Sequence, residues 1–253
     1  MCTVFEETRT EGTGIFQGDL CEVNMKVVII HGQSHKGSTY HIARMLAEKI
    51  SDDIREFFLP RDFGEICVGC TRCFYESETK CPHYEKLKPL TEAMDEADVI
   101  ILASPVYVYH VTGAMKAFLD HYGYRWMVHS PEESMFKKQG VCISTAAGAG
   151  VKSTNKDMMD SLFFWGVAKR YQYGTAVAAV NWNGVSEKKK RKIDKKTSNL
   201  AKKILRNAGN VKPGIKTKGL FWAMRMMQKS GFNSRDVEYW KAKGWTENKR
   251  PWK

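Results

Sequence analysis

No run of eighteen apolar residues occurs in the chain, so no segment reads as a membrane-spanning helix. No charged, apolar and small-residue leader pattern is present either, and a secreted product is not expected. The dinucleotide fingerprint G-x-G-x-x-G, the phosphate loop ending in Lys-Ser/Thr and the zinc motif H-E-x-x-H are all missing. Neither a catalytic triad nor a pair of carboxylates in a predicted cleft stands out, and no internal repeat is visible. Seven cysteines in 253 residues, four of them crowded together, do not form the pattern of a disulfide framework. The expectation is a reduced, cytoplasmic protein. With 43% hydrophobic and 27% charged residues, the composition is that of an ordinary globular chain long enough to bury a large core.

Charge is unevenly distributed. Residues 184–253 carry 21 Lys or Arg against 5 Asp or Glu, whereas residues 1–183 carry 19 against 23. The overall charge of +12 therefore belongs to the last quarter of the chain.

Residues 1–24 show no clear period and read as a loosely structured extension. Met25 opens the first strong strand directly, so translation starting there fits the sequence as well as a start at Met1. Lys26–His31, Ile54–Leu59, Val99–Ser104, Gly140–Thr145 and Tyr173–Asn181 read as strands, several of them continuous apolar runs of the buried parallel type. Helices are expected over Tyr40–Ile50, 86–96, Gly113–Tyr122 and Lys152–Trp165. Five rounds of alternation predict an α/β fold, an open doubly wound sheet of five parallel strands with helices on both faces, over residues 25–183. Residues 184–253 read as a basic, mainly helical C-terminal extension, with helices over Lys188–Asn207 and Leu220–Gln228 separated by Pro213 and Gly214.

Ligands of such a sheet bind beyond the carboxyl ends of its strands. Three loops fall there. H31-G-Q-S-H-K-G-S-T39 puts small residues, hydroxyls and one lysine at a helix start, which suits a phosphate, or a plain helix cap. S104-P-V-Y-V-Y-H-V-T-G113 carries Tyr107 and Tyr109 after a fixed proline, either to stack on a flat ring or to pack on the next helix. S144-T-A-A-G-A-G150 lacks bulk, so a ligand can approach its backbone, or the segment is simply a flexible turn. Together they outline a groove for a phosphate-bearing planar ring.

The motifs M-K-V-V-I-I-H-G-Q-S-H-K-G-S-T-Y, C-V-G-C-T-R-C…C-P and A-D-V-I-I-L-A-S-P-V-Y…G-A-M-K-A-F-L-D make residues 25–183 resemble the flavodoxin-like NAD(P)H-dependent flavin reductase family, including its iron–sulfur flavoprotein branch. The resemblance implies bound FMN. Ser34, Lys36, Ser38 and Thr39 would form its phosphate loop, and Pro105, Val106, Tyr107 and Val108 would run along the ring. Thr145, Ala146, Gly148 and Gly150 would form the other wall. His35 and Ser38 depart from the family pattern, which often has a basic residue and an Asn at those places. Lys116 and Asp120 match a family helix motif and, four residues apart, are expected to pair with each other. No side chain is assigned as catalytic, because the cofactor carries hydride chemistry; Tyr107 is placed at the ring face. The implied activity passes hydride from NAD(P)H through FMN to a small planar acceptor such as a quinone, nitro compound or flavin. A dimer is also implied.

Cys67, Cys70, Cys73 and Cys81 satisfy the ligand count of a 4Fe-4S cluster, and zinc is an alternative reading. Relatives that carry only flavin have similar spacing, so a structural loop is the other reading. The cluster would make the protein an electron carrier between protein partners. A third reading is a redox-inert flavin-binding module whose basic tail is the working end. His31, His35 and His110 sit on the groove loops as ordinary loop histidines, and His83 could compete for a metal. The apolar tail residues Leu220, Phe221, Trp222, Met224 and Met227 are expected to pack on the body or on a second subunit. Peripheral contact with anionic membrane is an alternative, while no motif for specific nucleic-acid binding accompanies the lysines.

Overall fold

The computed structural model describes residues 25–253; the extension expected over 1–24 lies outside them. Strands β1 (Val27–His31), β2 (Ile54–Phe58), β3 (Val99–Pro105), β4 (Gln139–Ala146) and β5 (Lys169–Ala176) form one sheet in the order β2-β1-β3-β4-β5. Every neighbouring pair is parallel. The chain first moves outward from β1 to β2, then crosses to the other side of β1 to lay down β3. That reversal places covering helices on both faces and opens a crevice between the carboxyl ends of β1 and β3.

Alternation along the central strands divides the core into two layers. The short α2 (Arg72–Tyr75) lies in the loop after β2, while Val28, Ile30, Ile100 and Leu102 face α3 (Tyr84–Glu96), α4 (Gly113–Asp120) and α5 (Val151–Phe164), which contribute Leu90, Met115, Phe118 and Leu162. Val27, Ile29, Ile101 and Ile143 face α1 (Ser38–Glu48) and α6 (Glu187–Leu205), which contribute Ile42, Leu46, Ile193 and Ile204. Each such side chain, fully buried, stabilises the fold by about 1.5–3 kcal/mol. The lysine-rich α6 is therefore amphipathic, with one stripe closing a face of the sheet beside α1.

Beyond α6, α7 (Ile215–Lys229) and α8 (Ser234–Ala242) return to the body. Phe221, Trp240 and Trp245 bury themselves with Met127 and Phe136 in a separate core. Trp240 Nε1 donates to the His129 carbonyl at 2.6 Å, and fully buried Asp236 pairs with His129 at 2.8 Å. Phe221, Trp240 and Trp245 of the tail thus pack on the body, as one of the expected arrangements required. Trp222 and Met226 stay exposed. No helix among the described residues is long and apolar enough to cross a membrane.

Two elements differ from expectation. β5 begins four residues earlier than Tyr173 and ends at Ala176 rather than Asn181. As an edge strand it tolerates Lys169 and Arg170, while Val180, in the apolar run that suggested a strand, is fully exposed. The helix expected over Leu220–Gln228 extends back to Ile215, because Gly219 is accommodated within it.

Candidate functional site

The three loops predicted to hold a ligand converge at the switch point. Thr112 ties two of them: its Oγ1 donates to the Gly32 carbonyl at 2.5 Å and accepts from Met115 N–H at 3.1 Å, capping α4. Ser104 Oγ accepts from Thr112 N–H at 3.0 Å. A Cβ on Gly32 would stand 3.1 Å from both Ser104 and Thr112, so the chains cross here at close quarters. The third loop is joined by Thr39 and Thr145, buried hydroxyls 2.6 Å apart, and by Val106 N–H, which donates to the Thr145 carbonyl at 2.8 Å.

Helix α1 starts at this junction. Its cap, Gly37, offers no side chain, and the first turn holds no acidic residue. The N–H groups of that turn have no intrahelical acceptor and form the positive end of the helix dipole. Ser34, His35 and Lys36 are exposed around it, and Ser38 and Thr39 are buried within it. Ser34 Oγ donates to the Leu59 carbonyl at 3.2 Å. Lys36 Nζ stands 5.1 Å from the Tyr40 ring centroid, on the outer edge of the loop.

After β3 the chain makes a tight turn in which Tyr107 and His110 exchange backbone hydrogen bonds. Val108 and Tyr109 occupy left-handed backbone, with φ of 47° and 67°. Val106 and Tyr107 use their N–H groups internally, whereas those of Val108 and Tyr109 find no acceptor among the described residues. Tyr107 Oη donates to Gln33 Oε1 at 2.9 Å, bridging the first and second loops. Asp157 on α5 braces the turn, with Oδ2 3.0 Å from His110 Nδ1 and accepting from Val111 N–H at 3.3 Å. Gln33 and Asp157 were not singled out from the sequence; no spacing rule links them to the tyrosine loop.

On the opposite wall Pro105 pairs in register with Thr145, Ala146 is buried at the strand end, and Gly148 is exposed with open space where a Cβ would lie. Gly150, with φ of 95°, lets the wall approach Val106 and Tyr109. All twelve residues predicted for a cofactor therefore lie on three adjoining loops or at the ends of the elements that flank them. The donor set fits a flavin mononucleotide: a bare helix N-terminus for the phosphate, unengaged amides at Val108 and Tyr109, and a wall without bulk. Lys116 and Asp120 pair with each other on α4, as expected from their spacing.

The cysteine loop follows β2. Cys67 and Cys70 are exposed and Cys73 and Cys81 half-buried. Burial, with the neighbouring Cys81, Cys67 and Cys70 thiols adding to it, pushes the Cys73 thiol up to about 11. Arg235 from α8 donates to the Cys73 carbonyl at 2.9 Å and to Glu78 Oε2 at 3.0 Å, so the tail helps to fix this loop. Among the described residues, the one close set of metal-ligating atoms includes only Cys81 of the four cysteines.

The family model described as NADPH-dependent FMN reductase matches residues 25–182. The chain belongs to that family. Among relatives of this FMN reductase family chain, an iron–sulfur flavoprotein from Archaeoglobus fulgidus is 31% identical over 102 residues, covering 40% of this chain and 44% of that protein. An iron–sulfur flavoprotein from Methanocaldococcus jannaschii is 34% identical over 100 residues, covering 38% and 51%. The chain thus matches about half the length of these relatives. A solved structure of an FMN-dependent NADH-azoreductase from Bacillus anthracis in complex with FMN superposes with a TM-score of 0.51 at 14% identity, covering 70% of this chain and 99% of that one. At that identity the likeness establishes a shared fold.

Proposed function

We propose that this FMN reductase family chain is an FMN-dependent oxidoreductase that takes hydride from NADH or NADPH and passes electrons to a small planar acceptor. The uncapped N-terminus of α1, set at the switch point opposite the small-residue wall, carries the reading. The first-turn amides with Ser38 and Thr39 would hold the phosphate, Pro105–Val108 would line the ring, and Thr145–Gly150 would face it. Bound flavin supplies the hydride-accepting and electron-donating chemistry. The chain's own task is positioning. The amides of Val108 and Tyr109 offer hydrogen bonds to the polar edge of the ring, where negative charge accumulates on reduction. Tyr107, held by Gln33, limits access to a ring face without exchanging a proton. The exposed apolar residues Ile66, Val68 and Tyr75 of the cysteine loop and Val108 of the tyrosine turn support assembly of two copies.

The test is anaerobic addition of NADH or NADPH to the FMN-loaded full chain. Bleaching of the flavin band by either one is expected, followed by recovery on adding a quinone. An unbleached band with both donors would sink the proposal.

A second reading has its own support in the mutual influence of the four thiols at Cys73 and in the relatives' iron–sulfur character. Deprotonated, these sulfurs repel one another, and the positive iron of a cluster would offset that charge, so Cys67, Cys70, Cys73 and Cys81 suit a four-iron cluster. Iron and acid-labile sulfide counted per flavin after anaerobic purification separate the readings. About four of each supports the cluster, and negligible iron leaves a structural loop.

A further inference from the structure

We propose that Cys81, His83 and His121 form a mononuclear site for a zinc-like divalent ion, separate from the flavin groove. The thiol and one nitrogen from each imidazole all lie within 4.8 Å of one another. They come from different elements: Cys81 ends the cysteine loop, His83 is the residue capping the start of α3, and His121 is the residue closing α4. The proposal does not rest on the flavin reading, since no groove residue takes part.

The imidazoles are already oriented for the task. His121 is buried, and its Nδ1 lies 2.7 Å from the Ala117 carbonyl. A carbonyl can only accept, so Nδ1 carries the proton and Nε2 presents its lone pair. That lone pair points at His83 Nδ1, 2.9 Å away. A second polar group stands behind His83, where its Nε2 lies 3.9 Å from Glu65 Oε2. Metal-bound histidines have this arrangement, with the distal nitrogen turned to a carbonyl or carboxylate. The Phe63 ring packs edge-on against His121 at 4.9 Å and closes one side with apolar surface.

Without an ion, the two rings share one proton in a hydrogen bond. With an ion, Cys81 gives up its thiol proton and His83 carries its proton on Nε2, towards Glu65. Zinc–nitrogen bonds of about 2.0–2.1 Å and a zinc–sulfur bond of about 2.3 Å put neighbouring tetrahedral ligand atoms about 3.3–3.6 Å apart. The rings need part by only a few tenths of an ångström to reach this. One thiolate and two imidazoles make a borderline-soft donor set, suited to zinc or cobalt rather than magnesium or calcium. A water fills the fourth position. Cys81 cannot serve this ion and a four-iron cluster at once, so the two occupants exclude each other.

The experiment uses the full chain, reduced, stripped with a chelator and titrated with Co2+, then with Zn2+. One equivalent of Co2+ should give the visible bands of a tetrahedral site and a thiolate-to-cobalt band in the near ultraviolet, both erased by Zn2+. Cys81→Ser and His121→Gln should each weaken Co2+ binding at least about tenfold, and Glu65→Gln by about tenfold. A Cys67→Ser/Cys70→Ser/Cys73→Ser triple variant should bind as the parent does. FMN uptake and far-ultraviolet circular dichroism report folding; if His121→Gln misfolds, His83→Gln carries the same test. Absence of tetrahedral cobalt spectra overturns the proposal, as does binding that survives both Cys81→Ser and the histidine variant. Binding lost in the triple variant places the metal on the cysteine loop and overturns it too. None of these readouts depends on reductase activity.

Discussion

Gly150 is the position where the fold and the proposed cofactor site depend on the same missing side chain. Its φ of 95° is costly for any residue with a Cβ, by about 1–3 kcal/mol. The added Cβ would lie 2.6 Å from Val106 Cγ1 and 3.2 Å from Tyr109 Cα. The first contact is with a side chain that can turn; the second is with backbone that cannot. Overpacking of this kind costs about 1–3 kcal/mol more. Gly150→Ala should therefore lose about 2–6 kcal/mol if the loops hold their places. If they yield, the cost appears as weaker FMN binding, tenfold for each 1.4 kcal/mol or so. Urea denaturation of the apoprotein and fluorescence titration with FMN measure the two shares. Adding Val106→Ala should recover the side-chain part and leave the backbone part. Gly148→Ala is the control, because its Cβ meets nothing within 4 Å; its stability should change by less than about 0.5 kcal/mol. A Gly150→Ala protein matching the parent in both assays would refute the reasoning.

Thr39→Val deprives Thr145 of its buried hydroxyl partner and should cost about 1–3 kcal/mol in denaturant unfolding, with Thr39→Ser restoring most of it. At pH 8 the Cys73 thiol, held up near 11, is ionised to about one part in a thousand. Peptide mapping after iodoacetamide should find Cys67 and Cys70 modified first, Cys73 late and buried Cys142 only after unfolding; equal rates at Cys70 and Cys73 would contradict this. The Glu56 carboxyl is held below the ordinary glutamate range by its hydrogen bond to His31 and by Arg44. Its stabilising contribution is present above that range and fades as pH falls through the lowered native value. Glu56→Gln should be less stable than the parent at neutral pH, with the gap closing below about pH 4 in thermal scans. A constant gap would be the wrong outcome.

What could be read from the sequence follows from where burial is complete. β1, β3 and β4 are covered on both faces, so their apolar runs identify them without ambiguity. β5 lies at the edge of the described sheet with half-exposed residues, and Arg170 settles there by standing 4.8 Å from the Phe163 ring; a pattern rule for buried strands misplaced it by four residues. The groove loops were legible because glycine, proline and hydroxyl residues cluster immediately after strands. Helix α8 was not read as an element, since its short span buries only Asp236 and Trp240. Gln33, Asp157 and the meeting of His83 with His121 were invisible because each depends on two loops or helices meeting in space.

Among the described residues no strand pairs with the outer edge of β5, which has a consequence for how the molecule behaves among its own copies. An unpaired strand edge is a template on which another chain can add a strand. Alongside Gln172–Thr175 runs the polar side of α6, with Lys189, Lys192, Lys196, Lys202, Lys203 and Arg206 lining the cleft between them. Two such edges approaching each other bring like charges together before any backbone hydrogen bond can form. The barrier is ionic, effective over about 8 Å at physiological salt. Concentrated salt or lysine acetylation would lower it while leaving the candidate groove intact. Resistance to self-association would then rest on the charge carried by one helix.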